Sequence, residues 1–173
     1  MDISKLQVGD VGFSFNKTKL ISSIIYKISI LGKHRKKRPT KLSHSFIYIG
    51  HGLIAEATFN GIIIVNLEKY LDKDFDVEFQ TPVIQFTQEE KQIIFSYAAR
   101  KAGIIKYSFG QLFVILFHKW FKSRVFDYNQ KEMQCSEFVS EIYSLLGRKL
   151  TDQDNSMNSP VDVYESEQLK DIE

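Results

Sequence analysis

The chain has 173 residues, enough for one domain with a core and too short for two of ordinary size. Its composition, 43% hydrophobic and 25% charged with 9 Gly and 3 Pro, is that of a soluble globular protein and excludes a collagenous, low-complexity or disordered chain. Lys plus Arg number 23 against 21 Asp plus Glu, a net charge of +2 that creates no global field to draw nucleic acid, and a lone Cys135 excludes an internal disulfide and a multi-cysteine zinc site.

Met1-Asp2-Ile3-Ser4-Lys5 lacks the charged region, apolar run and cleavage site of a signal peptide. The most apolar stretches, 20–31 and 109–117, fall well short of the ~20 residues that span a bilayer. With neither a signal peptide nor a transmembrane helix expected, the reading is a cytoplasmic or virion-associated protein of one domain, 1–173.

A strand is expected over 11–15, entered from the turn Gly9-Asp10, and Asn16-Lys17-Thr18 could start a helix over 20–31. There Leu20, Ile21, Ile24, Ile25, Ile28 and Leu31 recur at helical spacing, so one face should pack on a sheet. The run Lys33-His34-Arg35-Lys36-Lys37-Arg38, followed by Pro39, is too densely charged to be buried and reads as a surface loop, with contact to an anionic membrane as the sharper alternative. Three runs rich in Ile, Phe and Tyr, 44–49, 53–57 and 61–66, are joined by glycine-containing turns and imply antiparallel hairpins. Two further strands, 76–79 and 83–86, could be one bent strand interrupted at Pro82. Thr87 with Glu90 has the form of a capping box and opens a helix that Gly103 can close. Helices are also expected over 108–122 and 134–146, the latter stopped by Gly147. Beyond Thr151 the tail is polar and acidic, with Val161, Val163, Tyr164, Leu169 and Ile172 as its possible anchors. The order is that of an α+β domain with an antiparallel sheet.

Cys135 falls in the first turn of the last helix, on the side marked by Phe138, Val139 and Ile142. The positive end of the helix dipole and unpaired N–H groups favour its thiolate there, yet a free cysteine on an apolar face is also an ordinary core residue. A nucleophilic thiol needs a histidine partner held by a third polar group. His34 lies among cations, His118 late in an aromatic segment, and His51 at a hairpin tip between Gly50 and Gly52. His44 begins an apolar strand, where a sheet can fix its ring. A hairpin turning at 50–52 pairs residues summing to about 102, which brings Glu56 opposite Ser45 or Phe46. A carboxylate amid Ile and Ala is costly when unpaired, and a His44 imidazolium would pair it; the alternative is that Glu56 faces solvent. A metal set of His44, His51, Glu56 and Cys135 lacks a recognised zinc spacing, and one basic loop without an aromatic platform is weak ground for nucleic-acid binding. No cofactor, metal or nucleic acid is expected.

Taken in order, Gly9-Asp10-Val11, then Ser43-His44-Ser45-Phe46-Ile47-Tyr48-Ile49-Gly50, Ile54-Ala55-Glu56-Ala57 with Gly61, and Gln134-Cys135-Ser136-Glu137-Phe138-Val139 resemble the circularly permuted papain-like cysteine hydrolases. More narrowly they resemble the YiiX-like branch of the NlpC superfamily, related to lecithin–retinol acyltransferases, in which the histidine strand precedes the cysteine. Lys106-Tyr107-Ser108-Phe109-Gly110 and Ser159-Pro160-Val161-Asp162 resemble the family's aromatic and Pro/Asp segments, so the resemblance covers about 9–164. It implies a permuted papain-like fold, an antiparallel sheet or partial barrel packed against helices. It also implies acyl chemistry through a thioester, with Cys135 as nucleophile, His44 as base, Glu56 as orienter of the imidazole, and Tyr107 as a candidate second oxyanion donor beside the Cys135 N–H. The substrate class stays open between peptide, cell-wall and lipid-like amides or esters, as does hydrolysis against transfer to a lipid acceptor. The rival is a non-catalytic binding scaffold or virion component that keeps the fold.

Overall fold

The computed structural model describes residues 2–30, 41–102, 106–107 and 132–172, with 106–107 and 132–133 described by backbone alone. The expected helix over 108–122 and the basic run 33–38 lie outside these residues. The strands are β1 (Val11–Asn16), β2 (His44–Gly50), β3 (Leu53–Thr58), β4 (Gly61–Asn66), β5 (Phe75–Pro82), β6 (Lys106–Tyr107), β7 (Glu132–Met133) and β8 (Leu169–Asp171). The helices are α1 (Leu20–Ser29), α2 (Gln88–Lys101), α3 (Cys135–Leu145) and α4 (Pro160–Tyr164). The fold is α+β: a six-stranded antiparallel sheet in the order β4-β3-β2-β1-β5-β8, with a short parallel pair β6-β7. Among the described residues no helix is long and apolar enough to cross a membrane.

The middle of the sheet is covered on both faces, which explains why β2 reads as an unbroken apolar run and not as an alternation. Ile47 and Ile49 join Val11, Phe13, Ala55 and Ala57 in the core beneath α2 and α3, with Ile94, Tyr97, Phe138, Val139, Ile142 and Tyr143. Phe46 and Tyr48 face the other way, into a second core with Leu6, Ile54, Leu67, Tyr70 and Phe79. Gly12 makes this possible, because a Cβ there would stand 2.0 Å from the Phe46 ring. The β2–β3 hairpin has the expected register, Ile47 opposite Ala55 and Tyr48 opposite Ile54, with an irregularity before Gly50 opposite Leu53. His51 at its tip takes a positive φ of 54°.

Three helices open with reciprocal capping boxes: Thr87 with Glu90, Gln134 with Glu137, and Ser159 with Asp162. Only the first has the usual cap chemistry ahead of a long helix, and only that one was expected. The tail is anchored as expected: Val161, Val163, Tyr164 and Leu169 are buried, and the Tyr164 ring meets Phe13 edge-on at 5.1 Å.

Two expectations are corrected. Residues 83–86 form no strand: the ladder ends at Pro82, which has no N–H to donate, and Val83 and Ile84 are exposed while Phe86 alone turns inward. The apolar face of α1 does not pack on the sheet either. Its buried residues are Ser22 and Ser29, and Ile21, Ile25 and Ile28 line a cavity.

Candidate active site

His44 is the first residue of β2, across from Ser14 of β1, and Glu56 lies in β3. In the observed register the two are diagonal neighbours on one sheet face, close enough for long side chains to meet. The His44 Nε2 lies 2.7 Å from Glu56 Oε2. Glu56 is fully buried and collects two more donors, Lys69 Nζ on Oε1 at 2.6 Å and the Tyr70 hydroxyl on Oε2 at 2.5 Å. Sequence reasoning missed both donors. They lie in a single turn after β4, in Leu67-Glu68-Lys69-Tyr70, and nothing local separates that stretch from an ordinary surface turn. The His44 ring stacks at 6.1 Å on Tyr70, which itself stacks at 4.5 Å on Phe46.

Cys135 is the first residue of α3, which packs across β2. Its helix is tied down by Asn158, whose carbonyl accepts from the Ser136 hydroxyl at 2.5 Å and whose side-chain amide donates to Ser140 at 2.8 Å. The thiol is buried, lines the same cavity as His44, and is coupled to the imidazole electrostatically. With Nε2 engaged by Glu56, the nitrogen left for the sulfur is Nδ1. Ser45, the next residue of β2 and on the helix-facing side, is buried and helps to lower the Cys135 thiol pKa. Its hydroxyl is buried without a hydrogen-bond partner.

The electrostatics favour an ion pair. Burial opposes a charge on His44, but the Cys135 thiolate and Glu56 outweigh it and push the imidazole up to about 10. Burial likewise raises the Cys135 thiol, and the His44 imidazolium with the Ser45 donors brings it below the ordinary thiol value. Glu56 would also be raised by burial, yet its three donors, His44 first, hold it at about 2. Tyr70 is driven far above the usual phenol range by burial and by the Glu56 charge, so it stays a protonated donor.

A cavity of about 240 Å³ opens onto this group. Cys135, His44 and Lys69 stand on its polar side, and Ile21, Ile25 and Ile28 of α1 supply an apolar wall. The His44 side chain remains 21% exposed, so the imidazole is within reach of a bound molecule. Tyr107, the expected second oxyanion donor, has its backbone in β6, and its side chain lies outside the described residues.

Fold and site together define an α+β protein in which a strand-borne histidine, oriented by a buried carboxylate, precedes the cysteine of a helix start. No family model and no curated protein sequence matches the chain. Among solved structures it is similar to the metalloprotein yiiX from Escherichia coli O157:H7, with a TM-score of 0.67 and 17% identity over 98% of this chain and 97% of that one. The likeness extends over the whole fold, and it is to the branch that the ordered motifs resemble. Among the described residues no group of three or more His, Cys, Asp or Glu side chains converges as a metal ligand set. Glu56 has both oxygens engaged by His44, Lys69 and Tyr70. These residues do not fit a metal ion, and no step of the chemistry below runs through one.

Proposed function

We propose that the chain is a cysteine-dependent amide or ester hydrolase that works through a thioester acyl-enzyme. The observation that carries this reading is the His44 ring, held at 2.7 Å by the buried Glu56 carboxylate, lining one cavity with the Cys135 thiol. The Cys135 sulfur attacks the substrate carbonyl carbon, and the carbonyl electrons move onto its oxygen. As the intermediate collapses, the His44 imidazolium gives its proton to the leaving amine or alcohol. His44 then takes a proton from water, which attacks the thioester carbon; collapse breaks the C–S bond, releases the carboxylic acid and restores the thiolate–imidazolium pair. Glu56 holds the ring and favours its charged form. The apolar wall of Ile21, Ile25 and Ile28 favours an acyl group with an apolar chain over a cell-wall peptide, and an alcohol or amine acceptor in place of water would make the same machine an acyltransferase.

The test needs no substrate. Cys135 is the only thiol in the chain, so the rate of iodoacetamide alkylation against pH has one source. An apparent pKa well below the ~8.5 of a free cysteine, rising in His44→Ala, is expected. A normal value in both proteins, or no reaction until unfolding, overturns the reading in favour of a binding scaffold.

A further inference from the structure

Helix α1 is seated inside out. Its buried residues are Ser22 and Ser29, on the side where Tyr26 meets the Phe15 ring edge-on at 6.2 Å. At 3.6 residues per turn, Leu20, Ile24, Ile28, Ile21 and Ile25 follow one another around the helix as a continuous apolar arc. Ile21, Ile25 and Ile28 line the cavity that holds Cys135 and His44, whereas Leu20 and Ile24 are 77% and 42% exposed. The apolar wall of the cavity therefore runs without a polar break onto the outer face of the helix. Exposed apolar residues need no explanation when scattered singly, but a stripe continuous with a cavity wall does.

The charge around this helix is one-sided. Between Asp10 and Glu56 the sequence has nine Lys and Arg and no acidic residue, although the whole chain carries only +2. Lys19 precedes α1 and lines the cavity, Lys27 continues the stripe of Leu20 and Ile24, and Lys41 lies shortly before β2; all three are exposed. Lys17 is offset by Asp76 at 3.3 Å, but Lys19, Lys27 and Lys41 make no ion pair among the described residues. An apolar stripe flanked by unpaired cations suits the surface of an anionic bilayer, apolar side in the acyl boundary and lysines among the headgroups. A nucleic acid would use the cations and leave Leu20 and Ile24 in water.

We propose that α1 docks the protein on an anionic lipid surface, with Leu20 and Ile24 inserted and Lys19 and Lys27 at the headgroups. Docked in this way, the helix offers an apolar chain from the bilayer an isoleucine-lined path into the cavity. The inference concerns where the protein sits and stands apart from the hydrolase reading, since it holds whether or not Cys135 turns over a substrate.

The experiment measures partition of the full chain onto vesicles by co-sedimentation, with phosphatidylcholine alone and with phosphatidylcholine mixed with phosphatidylglycerol. Wild type is expected on the mixed vesicles, less of it as salt rises, and little on phosphatidylcholine alone. Leu20→Gln with Ile24→Gln keeps good helix formers on α1, and Lys19→Gln with Lys27→Gln removes the two cations. Each pair is expected to lower the partition coefficient about tenfold or more, with the thermal midpoint unchanged. Insertion is read separately from an NBD fluorophore on Ile24→Cys in a Cys135→Ala background. Its emission should shift to the blue on the mixed vesicles, while the same label on Gln92→Cys, at an exposed position of α2, should not shift. This second measurement leaves Leu20 and the lysines in place, so the proposal stays falsifiable even where a double variant folds poorly. Failure of wild type to bind the mixed vesicles overturns it. So does wild-type binding by a folded Leu20→Gln, Ile24→Gln variant, or binding with an unshifted label at Ile24, because attachment then runs through charge alone or another face. Tighter binding to a duplex oligonucleotide than to the vesicles, unchanged in the apolar variant, assigns the cations to nucleic acid and overturns it as well.

Discussion

The Lys69 ammonium lies 2.6 Å from Glu56 Oε1, so the carboxylate that orients His44 is shared with a cation standing half-exposed at the cavity edge. Lys69 offsets part of the negative charge that His44 feels. Lys69→Met is therefore expected to raise the His44 pKa further and to move Glu56 upward. In the alkylation profile, the step at which the imidazolium loses its proton shifts to higher pH. The shift is modest because Lys69 is solvent-screened, and an unchanged or lowered step refutes the coupling.

The low pKa of Glu56 ties stability to pH. Its folded value of about 2, against an ordinary 4.5, means that its contribution is fully present above about pH 4.5 and is lost as pH falls through about 2. The shift is worth on the order of 3 kcal/mol. Urea unfolding of wild type and Glu56→Gln should differ by this order at pH 7, and the two curves should converge near pH 2. Parallel pH dependences would remove Glu56 as the source.

Tyr70→Phe keeps the ring that stacks on Phe46 and deletes one donor to Glu56. The loss of a hydrogen bond to a buried carboxylate is expected to cost about 1.5–3 kcal/mol of stability. The Cys135 thiol pKa should fall slightly at the same time, because Glu56, still ionised at neutral pH and relieved of one donor, holds the His44 imidazolium more firmly. Urea midpoints and the alkylation profile check the two halves separately.

Ser45→Ala removes a buried hydroxyl that helps to lower the Cys135 thiol pKa and leaves the backbone N–H in place. The thiol pKa should rise, by less than in His44→Ala. The hydroxyl has no hydrogen-bond partner, so stability should change little. A thiol pKa equal to wild type would take Ser45 out of the site.

Gly12→Ala probes the link between core and site. The added methyl would meet the Phe46 ring, which is held by Tyr70 on one side and by Phe79 edge-on at 5.6 Å. Overpacking of this kind costs about 1–3 kcal/mol, and displacement of Phe46 moves Tyr70. Thermal unfolding should therefore fall together with thiol reactivity; a destabilised protein with wild-type alkylation would show that the stack does not position the site.

Much of this was legible locally. The hairpin over 44–57 follows from apolar strands around a glycine turn, and its register sum of 102 sets Glu56 opposite Phe46 and diagonal to His44. The start of α2 follows from Thr87 and Glu90, and that of α3 from an apolar face beginning at Cys135. These features depend on neighbours a few residues apart, where period and cap chemistry are decisive. The strand expected over 83–86 failed because apolar content alone does not distinguish a strand from a turn that buries one Phe. The face of α1 misled because an apolar helical stripe looks the same whether it meets a sheet or a cavity.

What the sequence determined by itself was therefore an α+β chain whose histidine strand precedes its cysteine helix, with Glu56 within reach of His44 by hairpin pairing. The tertiary structure alone showed that Lys69 and Tyr70 complete the partners of Glu56, and that the Ser45 hydroxyl and the Gln134 amide nitrogen are buried without a hydrogen-bond partner. Each of these depends on contacts between elements far apart in the chain or on the cost of burying a polar group. Such costs arise only when packed surfaces close around the group and exclude water.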